Sequence, residues 1–182
     1  MVKRPFVRNF FFESLLKINI EEPVLNKTLV IIRHAHRDTS KGQELNNGLS
    51  DKGRKQVRNI FDFYFERFPE VEKPVLFSSA RRRCIETLEP LARKLERRLV
   101  VNPLLLEQTE KETSAQFKQR IRRFKKDWEK SSSELTIICS HGDWIPVFFK
   151  ELLGLETSLK KGGWAEVEWD GKPRLTWLIQ SF

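Results

Sequence analysis

An α/β fold, a three-layer α/β/α sandwich with a mainly parallel central sheet and a C-terminal β-hairpin, is predicted by three features of the chain. Short apolar runs alternate with segments of helical periodicity, the pattern of strands joined by crossover helices. The runs are continuous, as in Leu29-Val30-Ile31-Ile32, which suits strands covered on both faces. The end of the chain departs from this pattern. Gly163 to Trp169 alternates apolar and polar residues, Asp170-Gly171 is a hairpin turn signal, and Leu175 to Ile179 returns.

The first strand begins at Thr28 and runs directly into Arg33, His34, His36 and Arg37. In an open α/β sheet, ligands bind in the crevice beyond the carboxyl ends of the strands. Two imidazoles between two guanidiniums repel protons, so at least one is expected to stay neutral and nucleophilic. The cluster reads as an anion site carrying its own nucleophile. Thr39 to Gly48, polar and turn-rich, is a surface loop beside it. A helix then opens with Ser50 as N-cap and Asp51 in its first turn. Its inward face is Val57, Ile60, Phe61, Tyr64, Phe65 and Phe68.

Val75-Leu76-Phe77 is the second strand, and it exits into Ser78-Ser79-Ala80-Arg81-Arg82-Arg83. A helix with the stripe Cys84, Leu88, Leu91 and Leu95 follows, so its N-terminus faces the crevice and favours an anion there. One of the three arginines is expected in the site and the others in solvent. Leu99-Val100-Val101 forms a third strand, and the Leu104-Leu105-Leu106 run after it ends in Glu107.

The spacing predicts a helix over residues 112–130 with Phe117, Ile121, Phe124 and Trp128 inward and its many lysines and arginines outward. Because its aromatics share one stripe and do not alternate with the bases, a solvated face is expected, and nucleic acid is disfavoured as a partner. Leu135 to Cys139 is the fourth parallel strand, ending in Ser140-His141-Gly142-Asp143, and a mostly buried helix closes at Gly154.

Length and composition set the bounds. At 182 residues the chain is expected to hold a single domain over 28–182, preceded by an N-terminal extension at 1–27. The extension lacks the cleavage pattern of a signal peptide, no stretch is long and apolar enough to span a membrane, and a cytoplasmic protein is expected. Cys84 and Cys139 lack metal-ligand spacing and are expected to be reduced and buried. No metal and no cofactor are expected. The net charge of +9 favours anionic partners without saying which. Oligomeric state is not encoded in any recognisable feature.

The four parallel strands thus exit into Arg33-His34, Ser78 to Arg83, Glu107 and Ser140-His141. A nucleophilic imidazole, cationic clamps and a carboxylic acid are the parts that phosphoryl transfer needs: attack, charge stabilisation and protonation of the leaving oxygen. The same residues resemble the histidine phosphatase, or phosphoglycerate mutase-like, superfamily. Its Arg-His-Gly/Ala motif is similar to Arg33-His34-Ala35, and its Leu-Ser-x-x-Gly-x-x-Gln helix start to Leu49 through Gln56. Its Ser-Ser-x-x-x-Arg-x-x-x-Thr signature corresponds to Ser78, Ser79, Arg83 and Thr87, a register that selects Arg83. Leu105 to Glu107 and Ser140 to Gly142 complete the likeness, which runs over residues 28–180.

The resemblance implies a metal-independent phosphatase acting through phosphohistidine, with His34 as nucleophile and Glu107 as proton donor. Arg33, Arg83, His141 and Ser79 would hold the phosphoryl group. Arg37 resembles the second arginine of the acid-phosphatase branch and is a further candidate phosphate ligand. Asp143 is a rival for the acid by its closeness to His141, although a positioning role is expected of it. The substrate would be a phosphorylated small molecule or a phosphoprotein. A phosphoglycerate-mutase-type phosphotransferase and a protein phosphohistidine phosphatase are the nearer alternatives; a nucleic-acid or phosphopeptide binding module is the non-enzymatic one.

Overall fold

The computed structural model describes residues 26–40, 42, 46–70 and 73–182; the expected extension, but for its last two residues, and part of the loop before Ser50 lie outside them. Six strands form one sheet, β1 (Lys27–Arg33), β2 (Val75–Ser78), β3 (Leu99–Val101), β4 (Leu135–Ser140), β5 (Trp164–Trp169) and β6 (Pro173–Ile179), in the order β3-β2-β4-β1-β5-β6. The first four in that order are parallel, while β5 and β6 run antiparallel. Four helices connect them: α1 (Asp51–Arg67), α2 (Arg82–Lys94), α3 (Ser114–Glu129) and α4 (Trp144–Leu153).

The continuous apolar runs divide between two cores because successive strand residues point to opposite faces. Leu29 and Ile31 of β1 pack with Phe117, Ile121, Phe124 and Trp128 of α3 and Trp144, Ile145 and Phe148 of α4. Val30 and Ile32 pack on the other side with Ile60 and Tyr64 of α1 and Leu88 and Leu91 of α2. This is the expected sandwich. Each fully buried Leu, Ile or Phe contributes about 1.5–3 kcal/mol, so both cores pin β1 and β4 at the centre of the sheet.

Local signals set the ends of the elements. Ser50 Oγ accepts from Gly53 N at 3.2 Å and caps α1 as expected. Gly53 is required by packing: a Cβ there would collide with the His36 carbonyl, so only glycine lets α1 approach the loop after β1. The α3 helix starts at Ser114, later than periodicity places it. Thr113 there forms a reciprocal capping box with Gln116, which fixes the first turn and leaves Glu112 outside. Glu112 instead pairs with Arg120 at 2.7 Å. Leu104 to Leu106 is no strand extension, because Pro103 starts a short 3-10 turn that Asn102 caps through Leu104 N at 2.9 Å.

Lys27 opens β1 with a buried side chain whose Nζ donates to the carbonyls of Trp128 and Glu129, both at 2.7 Å, and of Ser131 at 2.9 Å. An ammonium on the last carbonyls of a helix satisfies both their lone pairs and the dipole. Cys84 and Cys139 are free and buried. Among the described residues, no helix is long and apolar enough to cross a membrane.

Candidate active site

The carboxyl ends of β1, β4 and β2 lie side by side in the sheet, and the turns that follow them meet. Arg33 is in register with Ser140, and Ser78 with Cys139. His34 is therefore beside His141, their ring centroids 5.4 Å apart, and Ser79 Oγ lies 2.7 Å from His141 Nε2. His34, Ser79, Arg83 and His141 are all buried.

His34 Nδ1 lies 2.9 Å from the carbonyl oxygen of Ala35, an acceptor, so Nδ1 carries the hydrogen and Nε2 keeps its lone pair. Burial first, then the charges of Arg83, Arg33 and Lys161, lower its pKa to about 3 against the opposing pull of that hydrogen bond. The ring is neutral at physiological pH and has a free basic nitrogen. The next backbone N–H, that of Ala35, donates to Thr87 Oγ1 at 3.0 Å, while Thr87 Oγ1 donates to the Arg83 carbonyl at 2.6 Å. One hydroxyl thereby couples the turn that carries His34 to the helix that carries Arg83, which accounts for the threonine four residues beyond the arginine.

His141 has both ring nitrogens engaged. Arg83 Nη2 donates to Nδ1 at 3.2 Å, so the hydrogen sits on Nε2 and is donated to Ser79 Oγ at 2.7 Å. Burial, followed by Arg83, His34, Arg81 and Arg33, pushes its pKa down to about 2. Arg83 Nη2 also forms a salt bridge with Glu107 Oε2. Arg81 Nε lies 2.7 Å from the other oxygen, Oε1, without the alignment of a hydrogen bond. His141 Nδ1 is 3.5 Å from Oε2. The structure thus brings Glu107 to the strand ends from the loop after β3.

Arg33 Nη1 donates to the Leu159 carbonyl at 2.8 Å, and its guanidinium lies flat against Gly142. A side chain at Gly142 would displace that guanidinium from its place beside His141, so the glycine keeps Arg33 where it is. Asp143 bears on Arg33 by charge. Its carboxylate accepts from Trp144 N at 2.9 Å and from Gln108 N at 2.7 Å, so Asp143 caps α4 and tethers the Glu107 loop without touching the histidines.

Two groups at the site carry no strong sequence signal. Arg82 is exposed and pairs with Glu86, as a solvated helix start should, but Arg81 reaches Glu107. Lys161, in the turn before β5, adds its charge to those acting on His34 and His36. That turn is fastened to β1, since Gly162 N reaches the carbonyls of Arg33 and His34, each at 3.2 Å. Gln56 closes the arrangement, its Oε1 accepting from His36 N at 2.8 Å and its Nε2 donating to the Lys161 carbonyl at 2.7 Å. Arg37 bridges to Leu49 through its backbone, and its charge bears on Lys161.

Both the sequence and the fold that carry these side chains have counterparts among known proteins. Residues 29–109 match the family model of the histidine phosphatase superfamily, branch 1. Over those residues the chain is similar to the histidine phosphatase superfamily. An 8-oxo-(d)GTP phosphatase of Mycolicibacterium smegmatis is 27% identical over 136 residues, a match spanning 73% of this chain and 39% of that protein. The chain thus matches well under half the length of that relative. The fold is similar to that of a mycobacterial glucosyl-3-phosphoglycerate phosphatase solved with inorganic phosphate (TM-score 0.64, 19% identity, 85% of this chain and 98% of that one). It is also similar to a phosphoserine phosphatase mutant of Entamoeba histolytica solved with phosphoserine (TM-score 0.67, 16% identity, 84% and 96%). Among the described residues, no group of three or more His, Cys, Asp or Glu side chains is placed to hold a metal ion.

Proposed function

We propose that the protein is a phosphatase that hydrolyses a phosphomonoester through a phosphohistidine on His34, without a metal ion. The observation that carries this reading is the fixed tautomer of His34, whose Nδ1 hydrogen is committed to the Ala35 carbonyl. A neutral buried imidazole with Nε2 free is a nucleophile that needs no separate base. The phosphatase names of the matched relative and of the structural neighbours support the same chemistry.

In this reading Arg33, Arg83 and His141 hold the phosphoryl group carried on Nε2. Arg83 now spends its Nη2 on Glu107 and His141, and a phosphoryl oxygen competes for the same donor. Phosphate binding therefore releases Glu107 from a guanidinium; the freed carboxylate takes up a proton that arrives with the phosphate monoanion, passes it to the leaving oxygen and later takes one from the attacking water. Ser79 Oγ accepts from His141 and keeps its own hydrogen to donate to the anion. Fixed cations then provide the charge stabilisation that metals supply in other phosphoryl-transfer sites. The substrate is an anionic phosphorylated compound, either a small molecule or a phosphoprotein.

Rapid quenching with radiolabelled p-nitrophenyl phosphate tests this. The label is expected on the protein, stable in base, lost in acid and absent in His34→Ala, with turnover undiminished by chelators. An acid-stable adduct, or a label that persists in His34→Ala, would falsify the mechanism.

A further inference from the structure

The cations around His34 continue beyond what one phosphoryl group requires. Arg33 and Arg83 flank the nucleophile, but Lys161, Arg37 and Lys52 form a second cluster on the α1 side of the turn. Lys161 is placed there by backbone bonds, through Gly162 N to the carbonyls of Arg33 and His34 and through its own carbonyl to Gln56 and to Ser181 Oγ at 2.9 Å. Lys52 lies in the first turn of α1, next to Gly53, which packs on the His36 carbonyl. Arg37 follows His36 directly. Three chain segments are therefore fastened together at this point, and each brings a cation.

Among the described residues, no side-chain hydrogen bond or salt bridge joins Arg37, Lys52 or Lys161 to any acceptor. By contrast Arg81 and Arg83 share Glu107, and Arg54 and Arg82 pair with Asp51 and Glu86. Lys161 is half-buried, and its pKa is lowered first by burial and then by Arg37, Arg33, Arg83 and Lys52, all of like charge. Ammonium and guanidinium groups held together without a carboxylate repel one another, an arrangement that a multiply charged anion relieves.

We propose that Lys161, Arg37 and Lys52 form a subsite for a second phosphate group of the substrate, adjoining the group that His34 attacks. The subsite rests on the phosphatase reading for its neighbour but not for its own ligand. A carboxylate, with a single charge, is a poorer match for three cations than a phosphate with up to two, and charge-assisted bonds to phosphate strengthen with each donor. The substrate class is accordingly a bisphosphate, attacked at a monoester as in the reading above, or a diphosphate, attacked at its anhydride; the spacing between phosphorus atoms distinguishes the two.

Titration calorimetry with methylphosphonate, methylenediphosphonate and ethylenediphosphonate tests the subsite, because none of these compounds is hydrolysed. One of the two diphosphonates is expected to bind at least about tenfold more tightly than methylphosphonate, as two or three added charge-assisted contacts imply. A preference for the shorter spacer supports a diphosphate substrate, and for the longer a bisphosphate. Lys161→Gln should remove most of the advantage. Should that variant not fold, Lys52→Gln, on an exposed helix turn, is expected to diminish it. Equal affinity for mono- and diphosphonates in the wild type, or an advantage that survives both substitutions, overturns the proposal. Turnover of p-nitrophenyl phosphate is measured on the same proteins. If diphosphonates are preferred but no monoester is hydrolysed, the subsite stands and the phosphatase reading falls.

Discussion

Asp143 holds Glu107 at one remove: its Oδ2 accepts the backbone N–H of Gln108, the next residue, at 2.7 Å. The other oxygen caps α4 through Trp144 N, and the charge acts on Arg33. In the proposed mechanism Asp143 therefore positions Glu107 and does not itself touch the substrate. Asp143→Ala frees the Glu107 loop and is expected to lower kcat on alkyl phosphates by about tenfold, with a smaller loss on p-nitrophenyl phosphate, whose phenolate needs little protonation. Asp143→Asn, which keeps one acceptor, should recover part of the loss. Equal losses on both substrates would mean that Asp143 acts through Arg33 and not through Glu107.

The two buried histidines make stability depend on pH. Their ordinary pKa of 6.5 falls to about 3 in His34 and about 2 in His141 on folding. The unfolded chain then takes up protons below 6.5 that the folded chain refuses, so stability is full above that pH and declines as pH falls towards these lowered values. Glu112 and Glu151, held low mainly by Arg120 and Arg122, add losses only below 4.5. Buried Glu166, raised above 4.5 despite Arg67 and Trp164, acts in the opposite sense. Denaturant midpoints between about pH 6.5 and 5 should therefore decline less steeply in His141→Gln than in the wild type. Parallel slopes in the two proteins would remove His141 as a cause.

Sequence made the ends of the strands legible because each apolar run stops at a charged or hydroxyl residue, and register then chose Arg83 among three neighbours. The structure buries Arg83 and places it between Glu107 and His141. Arg81 was hidden by that same periodicity, since a position outside the helix stripe reads as solvent-facing although the cap geometry turns it towards Glu107. Lys161 had no local signal. Its place depends on Gln56 and on Gly162 bonding back to β1, contacts between segments far apart in the chain. The glycine of the α1 signature was readable as a motif, but its cause, the His36 carbonyl against the helix, is a tertiary fact.

The basic helix α3 is bound up with its own protein. Arg122 lies 2.7 Å and Lys118 3.1 Å from Glu151 of α4, Arg120 pairs with Glu112, and Lys125 Nζ donates to the Glu151 carbonyl at 2.8 Å. Its aromatics Phe117, Phe124 and Trp128 are buried and present no stacking surface. Random-sequence DNA or RNA should bind weakly, with affinity collapsing as salt rises. Tight binding at physiological salt that disappears in the folded double variant Arg122→Glu, Arg123→Glu would contradict this.

Glu107 is the proton donor in the proposed mechanism, yet its oxygens face Arg83, Arg81 and His141. The same carboxylate thus competes with substrate for Arg83, and its removal should have two effects of opposite sign. Glu107→Gln is expected to slow alkyl phosphates by about a hundredfold or more, because a basic alkoxide cannot leave without a proton, while p-nitrophenyl phosphate suffers far less. At the same time orthophosphate should inhibit the variant more strongly than the wild type, since Arg83 and Arg81 lose an internal anion and offer their charge to the external one. Inhibition constants and kcat measured on both substrates separate these effects. A leaving-group-independent loss accompanied by weaker phosphate inhibition would make Glu107 a structural partner of Arg83 and leave the acid unassigned. If the leaving-group dependence appears instead in Asp143→Asn, the proton comes from Asp143.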